Sequence, residues 1–96
     1  MSNAKSPIRP GEHLAEFLEE YGITPYRLAK DTGVPATRIG DILNKGRAIT
    51  ADTAIRLGRY FGTTAQFWLN LQVNYDLKVA EQTNADAYAG IHSLAA

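Results

Sequence analysis

Four glycines, Gly22, Gly33, Gly46 and Gly62, cut the middle of this sequence into short segments. Three of them are soon followed by a threonine that can start a helix: Thr24, Thr50 and Thr64. Thr24-Pro25 is the strongest of these starts, a hydroxyl to accept an early amide and then a proline at the first helical position. Glycine supplies the matching stop, because it takes the left-handed conformation in which helices commonly end. A chain punctuated in this way folds into several short helices. No segment alternates apolar and polar residues strictly enough for a half-buried strand.

The spacing of apolar residues inside the segments agrees with this reading. Leu14, Phe17, Leu18 and Tyr21 fall at i, i+3, i+4 and i+7, one stripe of a first helix, and Glu12, Glu16, Glu19 and Glu20 lie off it. A second helix over 25–32 buries Leu28 and Ala29. A third, over about 35–44, turns Ile39, Ile42 and Leu43 inward. A fourth starts after Thr50, with Asp52 in the first turn, where the helix dipole favours a negative charge. Its stripe is Ala54, Leu57, Gly58 and Phe61. The fifth and longest runs over about 65–81. Asn84 is a candidate cap for a weak sixth over 85–92, whose apolar face is thin. The expected architecture is an all-α bundle of five helices, with the sixth an open addition.

Composition narrows the function. Ninety-six residues make one domain, and the absence of cysteine removes disulfides, thiolate nucleophiles and thiolate metal sites. No apolar run approaches the roughly 18 residues of a membrane span, and residues 1–7 lack the apolar stretch of a signal peptide. A cytoplasmic protein with no membrane partner is expected. Ten basic side chains balance ten acidic ones, but their placement is uneven. Residues 22–60 hold Arg27, Lys30, Arg38, Lys45, Arg47, Arg56 and Arg59 against Asp31, Asp41 and Asp52. A basic middle between acidic ends suits a polyanionic partner.

Catalytic chemistry finds no foothold. His13 and Glu16 lie one turn apart beside Glu12, but no further His or Cys completes a metal set, so a solvated acidic face is expected. His92 has no evident partner. Ser6 and Ser93 lack the glycine-flanked elbow of a hydrolase nucleophile. No glycine-rich loop follows a strand to cradle a nucleotide. The chain is expected to be no enzyme, with neither cofactor nor metal.

The informative stretch is 25–44. Two short helices meet at Gly33-Val34-Pro35, with Ala29 small where they cross, Gly33 able to take a positive φ in the reversal, and Val34 plugging the turn. Ile39 and Ile42 hold the second helix to the core. Ala36, Thr37, Arg38, Gly40 and Asp41 are left available outside. This is the layout of a DNA-binding helix-turn-helix, whose second helix enters the major groove by its N-terminal end. An ordinary helical hairpin is the alternative.

Longer stretches carry a resemblance. They are Arg9-Pro10-Gly11-Glu12, Leu28-Ala29, Gly33-Val34-Pro35 and Arg38-Ile39, then Gly46-Arg47-Ala48-Ile49-Thr50-Ala51-Asp52-Thr53-Ala54 and Arg59-Tyr60-Phe61-Gly62-Thr63. Phe67-Trp68-Leu69-Asn70-Leu71-Gln72 and Tyr75-Asp76-Leu77 complete them. Over residues 9–81 the chain resembles the Cro/C1-type (XRE) helix-turn-helix family and, within it, the HigA/VapI-like antitoxins of bacterial toxin–antitoxin pairs. The resemblance implies a lambda-repressor-like five-helix DNA-binding domain at 9–81, with its motif at 25–44, between a tail at 1–8 and an extension at 82–96. It implies that Thr24 and Pro25 meet the phosphate backbone. Ala36, Thr37, Arg38 and Asp41 take the groove-facing positions, and Asn44, Lys45 and Arg47 form the phosphate-contacting turn. Relatives often carry a polar side chain where Ala36 stands, so base reading rests on Thr37 and Arg38, with Asp41 an acceptor for cytosine. Whether Arg38 meets a base or a phosphate stays open. The implied function is autorepression of a type II toxin–antitoxin operon, with operator DNA and a RelE-like ribonuclease toxin of the HigB type as partners. A free-standing XRE-type regulator and a helical interaction module that has lost DNA binding are the alternatives.

The fifth helix holds an independent clue. Its apolar residues fall into two stripes: Phe67, Trp68, Leu71, Tyr75 and Val79, and then Leu69, Val73, Leu77 and Ala80. One stripe serves the helix's own domain. The second is expected to form a homodimer interface, since most soluble oligomers are two-fold symmetric. Its coverage by the sixth helix of the same chain is the alternative.

Overall fold

A computed structural model describes residues 7–95. Of the tail expected at 1–8, residues 1–6, Ser6 among them, lie outside the described residues, as does the last residue of the extension, Ala96. The order is α1 (Pro10–Tyr21), α2 (Pro25–Thr32), α3 (Ala36–Lys45), α4 (Ala51–Phe61), α5 (Ala65–Thr83) and α6 (Ala85–Ala89). Every described element is a helix.

The starts are made by the threonines. The amides of Arg27, Thr53 and Phe67 donate to the hydroxyls of Thr24, Thr50 and Thr64 at 3.1, 3.5 and 3.0 Å. Each such cap contributes about 1 kcal/mol. The four stops are left-handed glycines, as the punctuation predicts. At Gly33 (φ 78°) this conformation lets α2 reverse into α3, and its amide donates to the Ala29 carbonyl at 2.9 Å.

One core joins the first five helices. Leu14 and Leu18 of α1, Leu28 and Ala29 of α2, Ile39 and Ile42 of α3, Ala54, Leu57 and Phe61 of α4, and Trp68 of α5 are buried together. Val34 seals the turn and Ile49 the loop after α3. Gly11 permits the closest crossing, because a β-carbon there would overlap the Ile42 carbonyl of α3. Trp68 is fully buried, yet its indole nitrogen donates to the Thr63 hydroxyl at 2.8 Å, so its polar atom is satisfied. Phe17 and Phe61 pack on it at ring separations of 4.9 and 5.9 Å.

Two expectations and one alternative need correction. Tyr21, assigned to the α1 stripe, is 57% exposed, although its ring lies beside those of Phe17 and Phe61. The sixth helix stops at Ala89 instead of running to residue 92, and Asn84 does not cap it through its side chain. It also leaves two residues of the second α5 stripe uncovered: Val73 is 51% and Leu77 56% exposed, while Leu69 is half-buried against the chain's own core and Ala80 is half-buried. A helix of five residues with no buried side chain has nothing with which to fold back.

Candidate nucleic-acid interface

The site is built by burying one side of α3 so that the other must face out. Ile39 and Ile42 are buried and Leu43 is half-buried against α1 and α2. The helix starts at Ala36, just beyond Pro35, so its first turn projects from the reversal. Ala36 and Thr37 are exposed there. Farther along, Gly40 and Asp41 are half-buried, and Asn44, Lys45 and Arg47 are exposed. Thr24 and Pro25 are exposed at the start of α2.

Cations and carboxylates on this surface are paired. Asp41 takes Lys45 Nζ at 3.8 Å and Arg47 Nη1 at 3.6 Å. The Arg47 amide also donates to the Asp41 carbonyl at 3.2 Å, which closes the turn after α3. The residue expected to accept from cytosine thus engages the two cations expected to meet phosphate. Exposed pairs of this kind are worth about 0–1 kcal/mol each, so a phosphate can displace the carboxylate. Arg38 reaches across to α4 and lies 3.4 Å from Asp52.

Several positions acquire roles that periodicity does not show. Tyr60 of α4 donates its hydroxyl to Asp31 of α2 at 2.7 Å, and Arg27 adds an ion pair at 3.2 Å. The Tyr60 bond is the main reason the Asp31 carboxyl sits below its ordinary value, with Arg27 assisting against partial burial. The same bond raises the Tyr60 hydroxyl. Gln72 of α5 accepts the Ile49 amide at 2.8 Å, which ties the loop after α3 to the long helix. Only the i,i+4 spacing Arg27–Asp31 was a visible signal for these contacts.

Among the described residues, no group of three or more His, Cys, Asp or Glu side chains is placed to hold a metal ion, and no helix is long and apolar enough to cross a membrane.

Comparison with known proteins agrees with this geometry. The family model described as helix-turn-helix matches residues 14–68. Virulence-associated protein I of Dichelobacter nodosus is 52% identical over 81 residues, covering 83% of this chain and 75% of that protein. Antitoxin HigA-1 of Vibrio cholerae is 42% identical over 74 residues, covering 76% of this chain and 70% of that protein. The solved structure of Pseudomonas aeruginosa antitoxin HigA with the higBA promoter is similar with a TM-score of 0.85 and 49% identity, covering 92% of this chain and 98% of that one.

Proposed function

Because this chain belongs to the XRE-type helix-turn-helix family, among the HigA antitoxins, we propose that it is an antitoxin-type autorepressor. Its dimer binds an operator and its own operon supplies a toxin. One observation carries the DNA reading: α3 is pinned by Ile39 and Ile42 while its first turn, Ala36 and Thr37, stands outward and unobstructed. Thr37, Arg38 and Asp41 read the groove beside Ala36. Thr24 and Pro25 before α2, and Asn44, Lys45 and Arg47 after α3, meet phosphates. The DNA-binding domain spans 9–81, with its motif at 25–44, and 82–96 is an extension.

A second copy covers Leu69, Val73, Leu77 and Ala80. A two-fold dimer presents two α3 helices to half-sites about one helical turn apart. The toxin is a small RelE-like ribonuclease of the HigB type, and the complex acts in the cytoplasm.

A gel shift with the DNA upstream of its own gene tests the DNA reading. A shuffled duplex of equal composition is the reference, and salt is titrated. Preference for the upstream duplex, with affinity falling as salt rises, is expected. Equal, weak binding to both duplexes overturns the reading. Growth rescue on coexpression with an adjacent small reading frame tests the antitoxin part, and absence of rescue leaves a free-standing regulator.

A further inference from the structure

A carboxylate of α4 reaches the reading end of α3. Arg38 lies in the first turn of α3, and its side chain is 30% exposed. Its Nη1 is 3.4 Å from Oδ2 of Asp52, whose side chain is 58% exposed in the first turn of α4. No other hydrogen bond holds the Arg38 side chain among the described residues.

Asp52 itself is fixed from behind. Both of its oxygens accept Arg56 Nε at 3.2 Å. Arg56 Nη1 in turn donates to the Thr32 carbonyl, the last residue of α2, at 2.9 Å. That nitrogen is seated against the reversal, since a β-carbon at Gly33 would lie 2.9 Å from it. The helix-turn-helix backbone thereby sets the position of Arg56, Arg56 sets Asp52, and Asp52 sets one edge of the Arg38 guanidinium.

We propose that Asp52 is a positioning residue for DNA reading, which holds Arg38 in the orientation that separates operator from other DNA and weakens binding to DNA of any sequence. The inference rests on the proposed entry of α3 into the groove. A guanidinium carries five donors in a rigid fork. With Nη1 turned to Asp52, Nη2 and Nε remain for the acceptors of a base edge, guanine above all. An untethered arginine would swing to the nearest phosphate, a contact that carries no sequence information. The carboxylate beside the groove also repels phosphates of every sequence. Exposed ion pairs add little to folding stability, so the consequence of losing this one falls on recognition.

Two opposed changes follow. Asp52→Asn should tighten binding to a shuffled duplex, about two- to fivefold, and steepen its salt dependence by about one phosphate contact. It should also lower the ratio of upstream-duplex to shuffled-duplex affinity, about tenfold, within the range of one well-placed base contact. Asp52→Glu keeps the charge but moves it by one methylene; the ratio should fall without the gain in shuffled-duplex affinity. In an Arg38→Ala background, Asp52→Asn should leave the ratio unchanged.

Anisotropy titrations of these variants against both duplexes, each with a thermal melt, read all of this. A parent protein that shows no preference for the upstream duplex refutes the proposed function itself. A parent that shows the preference, beside an Asp52→Asn variant that keeps it in full, refutes only the role of Asp52. Loss of both affinities in step with the melting temperature makes Asp52 a structural strut and overturns the proposal.

Discussion

Gly11 and Gly40 both lie inside helices, and the structure assigns opposite signs to replacing them with alanine. In an open helical position the exchange stabilises by about 0.5–1 kcal/mol, because glycine loses more backbone freedom on folding. Gly40 is such a position, with nothing within 4 Å of the site its β-carbon would take. At Gly11 the added carbon would lie 3.0 Å from the Ile42 carbonyl carbon and 3.4 Å from the Leu43 α-carbon, and would overlap the Ile42 oxygen. Those neighbours are backbone and cannot rotate away, so α1 must lift from α3. Overpacking of this kind costs about 1–3 kcal/mol. Set against the helix gain, Gly11→Ala should lose about 1–2 kcal/mol. At about 4–8 °C per kcal/mol for a domain of this size, the melting temperature should fall by roughly 5–15 °C. Gly40→Ala should raise it by about 2–8 °C on the same scale. Thermal unfolding followed by circular dichroism measures both. A Gly11→Ala protein as stable as its parent would refute the close α1–α3 crossing, and with it the seating of α3 described above.

Other outcomes follow from the same structure. Val73→Glu or Leu77→Glu, each at an exposed position of α5, should give a folded monomer by sedimentation; a parent already monomeric at high concentration removes the dimer. Arg47→Ala should weaken binding to all duplexes alike and flatten the slope of log affinity against log salt by about 0.9. Unchanged slope would place Arg47 away from phosphate. Tyr60→Phe removes the bond that most lowers the Asp31 carboxyl. An NMR titration should show that carboxyl rising toward its ordinary value in the variant. Because the folded value is depressed, the stability this bond supplies is present above the ordinary value of an aspartate carboxyl and is lost as pH falls through the folded value. The acid limb of the parent's stability curve should therefore be steeper than the variant's, and identical limbs would show that the bond does not form.

Local chemistry wrote most of the fold into the sequence. Threonine caps and glycine stops act within one helical turn, so Thr24, Thr50, Thr64 and the four left-handed glycines could be read directly, and the buried stripes of α1 to α4 follow from a 3.6-residue period. The outward face of α3 was legible for the same reason: with Ile39 and Ile42 inside, Ala36 and Thr37 could only face out. What those surface groups bind to was not legible. Arg38 meets Asp52 across 14 residues, Ile49 meets Gln72 across 23, and Tyr60 meets Asp31 across 29. Such pairs depend on the angles at which whole helices cross, which no local pattern encodes. The same holds for the end of the chain. Alanines permit a sixth helix, but only the absence of a surface for it to pack on decided that it would be five residues long and leave Val73 and Leu77 uncovered.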